Sequence, residues 1–160
     1  MSPSCSLAPP WPWARAPRRP TRSSIGRARL RRTTVTIHVC DVAGAGTDDN
    51  VWGRLRDGKG VESSWALFDK SLYNDFERND NDTYKATVPE NFGTPSQIDL
   101  SKDGGNGLCV DKITIQGVCA KYGWYNKEIG TQWLDQVEDC GGSAGTTCLG
   151  NEHPYDLVPM

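Results

Sequence analysis

Alternation of apolar and polar side chains with a period of two is the feature that most limits how this chain of 160 residues can fold. In TVTIHVC, Val35, Ile37 and Val39 fall on one face of an extended chain, and TYKATV and VDKITIQ repeat the pattern. Such alternation is typical of half-buried β-strands, because successive side chains of a strand point to opposite faces. No helical periodicity is sustained over about ten residues. The pattern therefore predicts an all-β, antiparallel sandwich.

Turn signals divide the chain into further short strands. The segments NVWGRLR, WAL, QIDL, KYGWYN and IGTQWL are separated by DGKG, PENFGTP, KDGGNG and similar Gly-, Pro- and Asp-rich stretches. These boundaries predict one domain over residues 33–136. Residues 137–160, which contain CGGSAGTTC, are predicted to be an irregular tail.

The charges divide the chain into a basic leader and an acidic body. Residues 1–32 contain eight Arg and no acid, which leaves 10 basic and 20 acidic residues for 33–160. A nucleic-acid binder needs a basic face, so the body is not expected to bind nucleic acid, whereas it suits cations. The Pro- and Arg-rich leader lacks apolar periodicity and is predicted to be disordered. No apolar run reaches the ~18 residues of a membrane-spanning helix.

Six cysteines bear on the redox compartment. None lies in a C-x-x-C pair, so a zinc or thioredoxin-type site is not expected. Five lie in the body, which favours disulfides and weakly indicates an extracellular protein. The leader shows no secretory apolar core, so a transit segment or a non-native start stays open. Reduced thiols are an open alternative, and sequence alone does not give the pairing.

Two stretches are crowded with oxygen-bearing side chains, AGAGTDDN at 43–50 and YNDFERNDNDTY at 73–84. Calcium takes six to eight oxygen ligands, and glycines let carbonyl groups converge. Neither stretch has the EF-hand spacing, so a calcium site would be assembled from separate loops at one end of the sandwich. Turn formation alone also explains such composition, and Arg78 offers an ion-pair partner to Glu77 or Asp75 in place of a metal.

The order of these motifs resembles that of the PLAT domain, the module of polycystins, lipoxygenases and α-toxin. GAGTDDNV is followed by LYNDFERNDNDTY, VPENFGTPSQIDL, VDKITI and TQWLD. The resemblance implies an eight-stranded antiparallel β-sandwich of two four-stranded sheets. It also implies a non-catalytic module that binds Ca²⁺ through its end loops and docks on a phospholipid membrane surface or on a protein.

The resemblance assigns calcium ligands residue by residue. It places one site at Asn74, Asp75 and Glu77, with carbonyl help from near Gly44. A second site falls at Asp48 and Asp49.

This chain also departs from the pattern at the second site and in its loops. Gly107 and Leu108 stand where lipoxygenase members carry acids, so Asp103 or Asn106 would have to substitute. Membrane-docking members carry exposed Trp in their loops, whereas DVAGAG and KDGGNG contain no aromatic residue.

The sequence is compatible with three functions. The first is a calcium-binding module for a lipid surface or a protein partner. The second is a metal-free, disulfide-braced interaction protein. The third is the detached regulatory module of a lipoxygenase or lipase. No G-x-S-x-G motif or comparable catalytic anchor is present, so no catalytic residue is predicted.

Overall fold

The computed structural model describes residues 30–118, 120–127, 132–135 and 147–160. Within these residues the chain forms strands and turns, and no helix that could span a membrane is found among them. The strands are β1 Arg31–Val39, β2 Val51–Asp57, β3 Ala66–Leu67, β4 Asn81–Val88, β5 Pro95–Lys102, β6 Leu108–Val118, β7 Ala120–Tyr125, β8 Gln132–Leu134, β9 Thr147–Cys148, β10 Glu152–Asp156 and β11 Val158–Pro159.

The described strands form two sheets. The larger sheet runs in the order β11-β7-β6-β1-β4, with β8 paired to β6 and β9 paired to β8. The smaller sheet runs β10-β5-β2-β3. All of these pairs are antiparallel except the short β8–β9 pair. The predicted antiparallel β-sandwich is therefore confirmed, and short strands near the C-terminus extend it beyond the eight that were expected.

The apolar faces of the two sheets form the core. In β1 the predicted inward residues Val35, Ile37 and Val39 are fully buried, and β6 contributes Ile113 and Ile115 in the same way. The smaller sheet supplies buried Leu55, Ile98 and Leu100. Each such side chain contributes about 1.5–3 kcal/mol when removed from water, so the alternating strands make a large favourable contribution to folding.

The C-terminal residues correct one prediction. Residues 147–160 are not an irregular tail, because β10 pairs with β5 over five residues and β11 pairs with β7. Tyr155 and Leu157 are both buried, which ties this segment to the core. Pro154 is tolerated because β10 is an edge strand. Residues 137–146 lie outside the described residues.

The N-terminal boundary also differs slightly. β1 begins at Arg31, so the last two residues of the predicted leader belong to the sandwich. Both pair with β4, opposite Val88 and Thr87. Residues 1–29 lie outside the described part of the chain, and the prediction of disorder there stays a prediction.

Candidate functional site

Three loops meet at one end of the sandwich and carry every predicted calcium ligand. Residues 40–50 join β1 to β2, residues 68–80 join β3 to β4, and residues 103–107 join β5 to β6. They meet because β1 ends where β4 and β6 begin, with His38 opposite both Asn81 and Lys112. Likewise β2 begins opposite the end of β5.

The first two loops pack closely together. The Thr47 backbone N–H donates to the Phe76 carbonyl over 3.2 Å. A Cβ on Gly46 would lie 2.6 Å from that same carbonyl, so only glycine fits there. The Thr47 hydroxyl donates to the Asn106 carbonyl at 2.7 Å, which joins the third loop to the other two.

A disulfide between Cys40 and Cys109 fastens the base of this loop cluster. Cys40 directly follows β1 and Cys109 lies at the start of β6, so the bond links the roots of the first and third loops. Both cysteines are fully buried. Disulfide bracing is thus confirmed for this pair, while Cys5, Cys119 and Cys140 lie outside the described residues.

Two adjoining cavities open between the loops. The first, of about 230 Å³, lies among residues 47–50, 68–69 and 73–76. The second, of about 270 Å³, lies among residues 44–48, 77–78 and Asn106. All six predicted ligands line one or the other. Asp49, Asn74 and Asp75 face the first, Gly44 and Glu77 face the second, and Asp48 lines both.

Two carboxylates at this end are available, Asp48 and Asp69. Both are exposed, and within the described residues neither has a hydrogen-bond or ion-pair partner. Asp69 lines the first cavity alone, whereas Asp48 borders both, so its oxygens can reach a cation in either. This is the donor state that a hard cation such as calcium requires.

Asp75 is held by its own loop and by β4. Its Oδ2 accepts the Lys70 backbone N–H at 2.6 Å, and its Oδ1 accepts the Tyr84 hydroxyl at 2.9 Å. The Lys70 ammonium lies 3.5 Å from Oδ1 and also bonds Asp82, which is fully buried. Burial and the charges of Asp82 and Asp75 raise the pKa of the Tyr84 hydroxyl, which therefore stays protonated.

Asp49 is held in a similar way by the third loop. Its Oδ2 accepts the Lys102 ammonium at 3.1 Å and the Asn106 backbone N–H at 2.9 Å. A Cβ on Gly104 would lie 2.2 Å from Asp49 Oδ1, and Gly104 has a φ of 73°. Glycine is therefore required at that position for the carboxylate to enter the loop.

The remaining predicted ligands lie near solvent. The Asn74 amide donates to Glu77 Oε1, and both side chains are exposed. Gly44 has a φ of 76°, in the left-handed region that glycine adopts readily. The sequence suggested Glu77 or Asp75 as the ion-pair partner of Arg78. In the structure Arg78 instead donates to Asp41 at 2.8 Å.

Asp103 and Asn106, which were suggested as substitute ligands for the second site, have different surroundings in the structure. Asp103 accepts both the backbone N–H and the side-chain amide of Asn50 at 2.8 Å, and these hydrogen bonds lower the pKa of Asp103. Asn106 instead lines the second cavity beside Asp48. A Cβ on Gly107 would lie 2.8 Å from Asp135 Oδ2 and 3.1 Å from the Trp133 ring, so an acid at position 107 would require these side chains to move.

The oxygen atoms that border the two cavities are the ligand type that a hard cation prefers, but few of the carboxylates among them are unpaired. Carboxylate, amide and carbonyl oxygens border the cavities, which is what calcium prefers. However, no three His, Cys, Asp or Glu side chains within the described ranges are grouped as they would be around a metal ion. Asp48, Asp69 and Glu77 are the cavity-lining carboxylates not paired with a lysine here, two to each cavity, so a calcium ion would rely on neutral oxygens for its other ligands.

Sequence reasoning missed four residues at this end, among them Asp69 of the first cavity. Lys70 and Lys102 pair with acids that were predicted as ligands, and Lys102 does so across 53 positions, which no local pattern reveals. Leu72 was also missed. It is 106% exposed with a φ of 65°, and the signal for it was an apolar residue inside an otherwise polar stretch.

Known proteins share this fold. Residues 33–139 match the family model for the PLAT/LH2 domain. No curated protein sequence matches the chain. Among solved structures, a coral 8R-lipoxygenase described by calcium activation via a C2-like domain has a TM-score of 0.59 at 20% identity, over 79% of this chain and 17% of that one.

Two further structures show the same likeness. A calcium-dependent 11R-lipoxygenase has a TM-score of 0.54 at 24% identity, over 79% of this chain and 17% of its own. An alpha-toxin from Clostridium absonum has a TM-score of 0.51 at 20% identity, over 66% of this chain and 29% of its own. The chain thus spans only a small part of these proteins, and the likeness concerns the fold.

Proposed function

Because the chain belongs to the PLAT/LH2 domain family, we propose that it is a non-catalytic module that docks on a phospholipid membrane surface when calcium occupies its end loops. The observation that carries this proposal is the position of Asp48. It is the carboxylate that borders both cavities and lacks a partner among the described residues.

The calcium ion would be held by few charges. In the first cavity Asp48 and Asp69 would supply carboxylates and Asn74 an amide oxygen. In the second Asp48 and Glu77 would supply carboxylates, Asn106 an amide oxygen and Gly44 its carbonyl. With two such carboxylates in each cavity the affinity should be low, with a Kd of about 10⁻⁴–10⁻³ M. When bound, calcium would neutralise the loops and leave coordination positions for an anionic headgroup. Asp49 and Asp75, which were predicted as ligands, are left out of this set because each is already paired with a lysine.

Leu72 and Tyr73 would supply the apolar part of the contact. Both are exposed at the tip of the second loop, directly before Asn74 of the first cavity. A leucine held fully in water with a left-handed backbone is a costly arrangement, which is typical of a functional site. Its transfer into a bilayer interface is worth about 1.5–3 kcal/mol. That gain is small enough that docking would still need calcium.

The relatives add support by analogy. The coral 8R-lipoxygenase is described as activated by calcium via a C2-like domain, and the 11R-lipoxygenase as calcium-dependent. A shared fold does not by itself transfer a function, so the argument depends on the loops of this chain.

A metal-free interaction module is the second candidate. The pairing of Asp49 with Lys102 and of Asp75 with Lys70 favours it, because these loops are partly neutralised without any metal. It predicts that the same surface binds its partner equally well with chelator.

Vesicle sedimentation tests the proposal. The full chain would be mixed with vesicles of phosphatidylserine and phosphatidylcholine in millimolar calcium, in magnesium and in chelator. We expect binding in calcium alone, a loss of about tenfold or more in calcium affinity for Asp48→Asn and Glu77→Gln, and unchanged binding for Glu90→Gln at the opposite end of the sandwich. Calcium binding without vesicle binding would instead indicate a protein partner.

The leucine is tested in the same assay. Leu72→Ser should weaken vesicle binding by about tenfold or more while the calcium affinity measured without lipid stays unchanged. Leu30→Ser, at the far end of β1, is the matched control. Equal vesicle binding by both variants would exclude Leu72 from the contact.

A further inference from the structure

The Lys70 ammonium lies in a cage made by its own loop and the start of β4. It bonds Asp82 Oδ1 and lies 3.5 Å from Asp75 Oδ1. It also lies 4.3 Å from the ring centroid of Tyr73 and 5.1 Å from that of Tyr84. Two carboxylates and two aromatic faces are the surroundings that a bound cation would need, and a lysine of the chain already supplies that cation.

Each oxygen of this cage already accepts at least one hydrogen bond or ion pair. Asp75 Oδ2 accepts the Lys70 backbone N–H at 2.6 Å, and Asp82 Oδ2 accepts the Phe76 backbone N–H at 2.6 Å. Asp75 Oδ1 accepts the Tyr84 hydroxyl. A metal ion at this position would compete with these bonds and would meet the positive charge of Lys70.

Lys102, the last residue of β5, plays the same part beside the third loop. Its side chain is fully buried, and its ammonium donates to Asp49 Oδ2 at 3.1 Å and to the Gly104 carbonyl at 3.0 Å. A buried ammonium persists only where it is paired, and here the pair joins the end of β5 to the first loop. Each of the two oxygen-rich loops therefore contains an acid that a lysine neutralises.

We propose that Lys70 and Lys102 are resident cations that order these loops without metal, and that calcium binds only the cavity carboxylates that no lysine pairs, which are Asp48, Asp69 and Glu77. Asp75 and Asp49 are then structural residues and not calcium ligands. The inference depends on the proposed function for the location of the calcium site. Its central claim, that the loops are ordered by lysine, needs no calcium binding at all.

The protonation of Lys70 agrees with this role. Its partial burial alone would lower the pKa of the ammonium, but the hydrogen bond and charge of Asp82 and the charge of Asp75 raise it above the ordinary value. The cage therefore keeps its positive charge at neutral pH and above.

Hydrogen exchange on the full chain is the first test. The Phe76 backbone N–H, which donates to Asp82, should be as protected in chelator as in millimolar calcium. A Phe76 amide that exchanges freely in chelator and becomes protected only with calcium would overturn the proposal. This readout is independent of vesicle binding, so it stands even if the proposed membrane function fails.

Removing the ammonium is the second test. In chelator, Lys70→Met should lower the Tm by roughly 10 °C, because it leaves two carboxylates without their cation. Calcium should then restore part of that loss. Lys85→Met, an exposed lysine on β4, should shift the Tm by no more than about 2 °C. Equal Tm values for the two variants would overturn the role of Lys70.

The Asp75→Asn variant tests whether Asp75 is a calcium ligand or a structural residue. It should lower the Tm but change the calcium midpoint by less than about twofold, whereas Asp48→Asn shifts that midpoint by about tenfold or more. Equal losses of calcium affinity in both variants would show that Asp75 is a ligand after all. If the wild-type chain binds no calcium, the chelator measurements on Lys70→Met and on the Phe76 amide decide the matter alone.

Discussion

At the scale of single residues, Asp57 shows how one carboxylate organises a turn far from the loops. It is buried at the end of β2, where Oδ1 accepts the backbone N–H groups of Lys59 and Val61 and Oδ2 accepts that of Gly93, all at 2.8 Å. Asp57→Asn must point its amide N–H at one of these donors. We expect a loss of about 2–4 kcal/mol in the free energy of unfolding, measured with urea.

The same residue gives a pH dependence. Burial alone would raise the pKa of Asp57, but the N–H donors of Gly93, Val61 and Lys59 lower it below the ordinary value. The folded pKa then lies below the unfolded one of about 4, so the stabilisation is complete above that pH and disappears as the pH falls through the folded pKa. Asp57→Asn should flatten this acid limb, and exposed Glu90→Gln should leave its slope unchanged.

At the scale of elements, β10 tests whether the C-terminal strands belong to the domain. Tyr155 is buried against Trp124, with ring centroids 4.6 Å apart, and it lies opposite Ile98 of β5. Tyr155→Ala should cost about 3–5 kcal/mol in urea unfolding, as for other buried aromatic residues. Glu152→Ala in the same strand, whose side chain is exposed, should change stability by no more than about 0.5 kcal/mol. Equal effects would mean that β10 packs only loosely.

The sequence predicted some elements better than others, for a physical reason. β1 and β4 were predicted with their faces correct, because each alternates over a length that buries several side chains. β10 was missed because the alternation in EHPYD is short and contains Pro154, which excludes a central strand but not an edge. The two-residue strands β9 and β11 are defined by their partners and carry no periodic signal of their own.

The loops at the end of the sandwich were also predicted only in part. Their crowding with oxygen atoms was visible in the sequence, and the structure brings all six predicted ligands to two adjoining cavities. Their partners were not predictable. Nothing local indicates that Lys102 reaches Asp49 or that Arg78 prefers Asp41, 37 positions away. Composition can show that charges must be compensated, but only the fold determines which cation compensates them.

At the scale of the whole molecule, the Cys40–Cys109 disulfide couples stability to the loop end. It closes a segment of 69 residues that includes β2 to β5, which on the chain-entropy estimate is worth about 4 kcal/mol. A Cys40→Ala/Cys109→Ala variant should therefore lose about that much in urea unfolding, plus a smaller loss for the sulfur atoms removed from the core.

The Cys40→Ala/Cys109→Ala variant also tests whether the disulfide stabilises only the fold or also the proposed calcium site. Because the bond joins the roots of the first and third loops, its removal should allow Asp48 and Asn106 to move apart and should weaken calcium binding, measured by calorimetry under conditions where the variant is folded. The Lys102–Asp49 pair still spans the same two loops and limits that movement, so the calcium affinity should fall by less than in Asp48→Asn. A loss of stability with unchanged calcium affinity would show that the disulfide supports the fold alone and that the lysine pair suffices to hold the site.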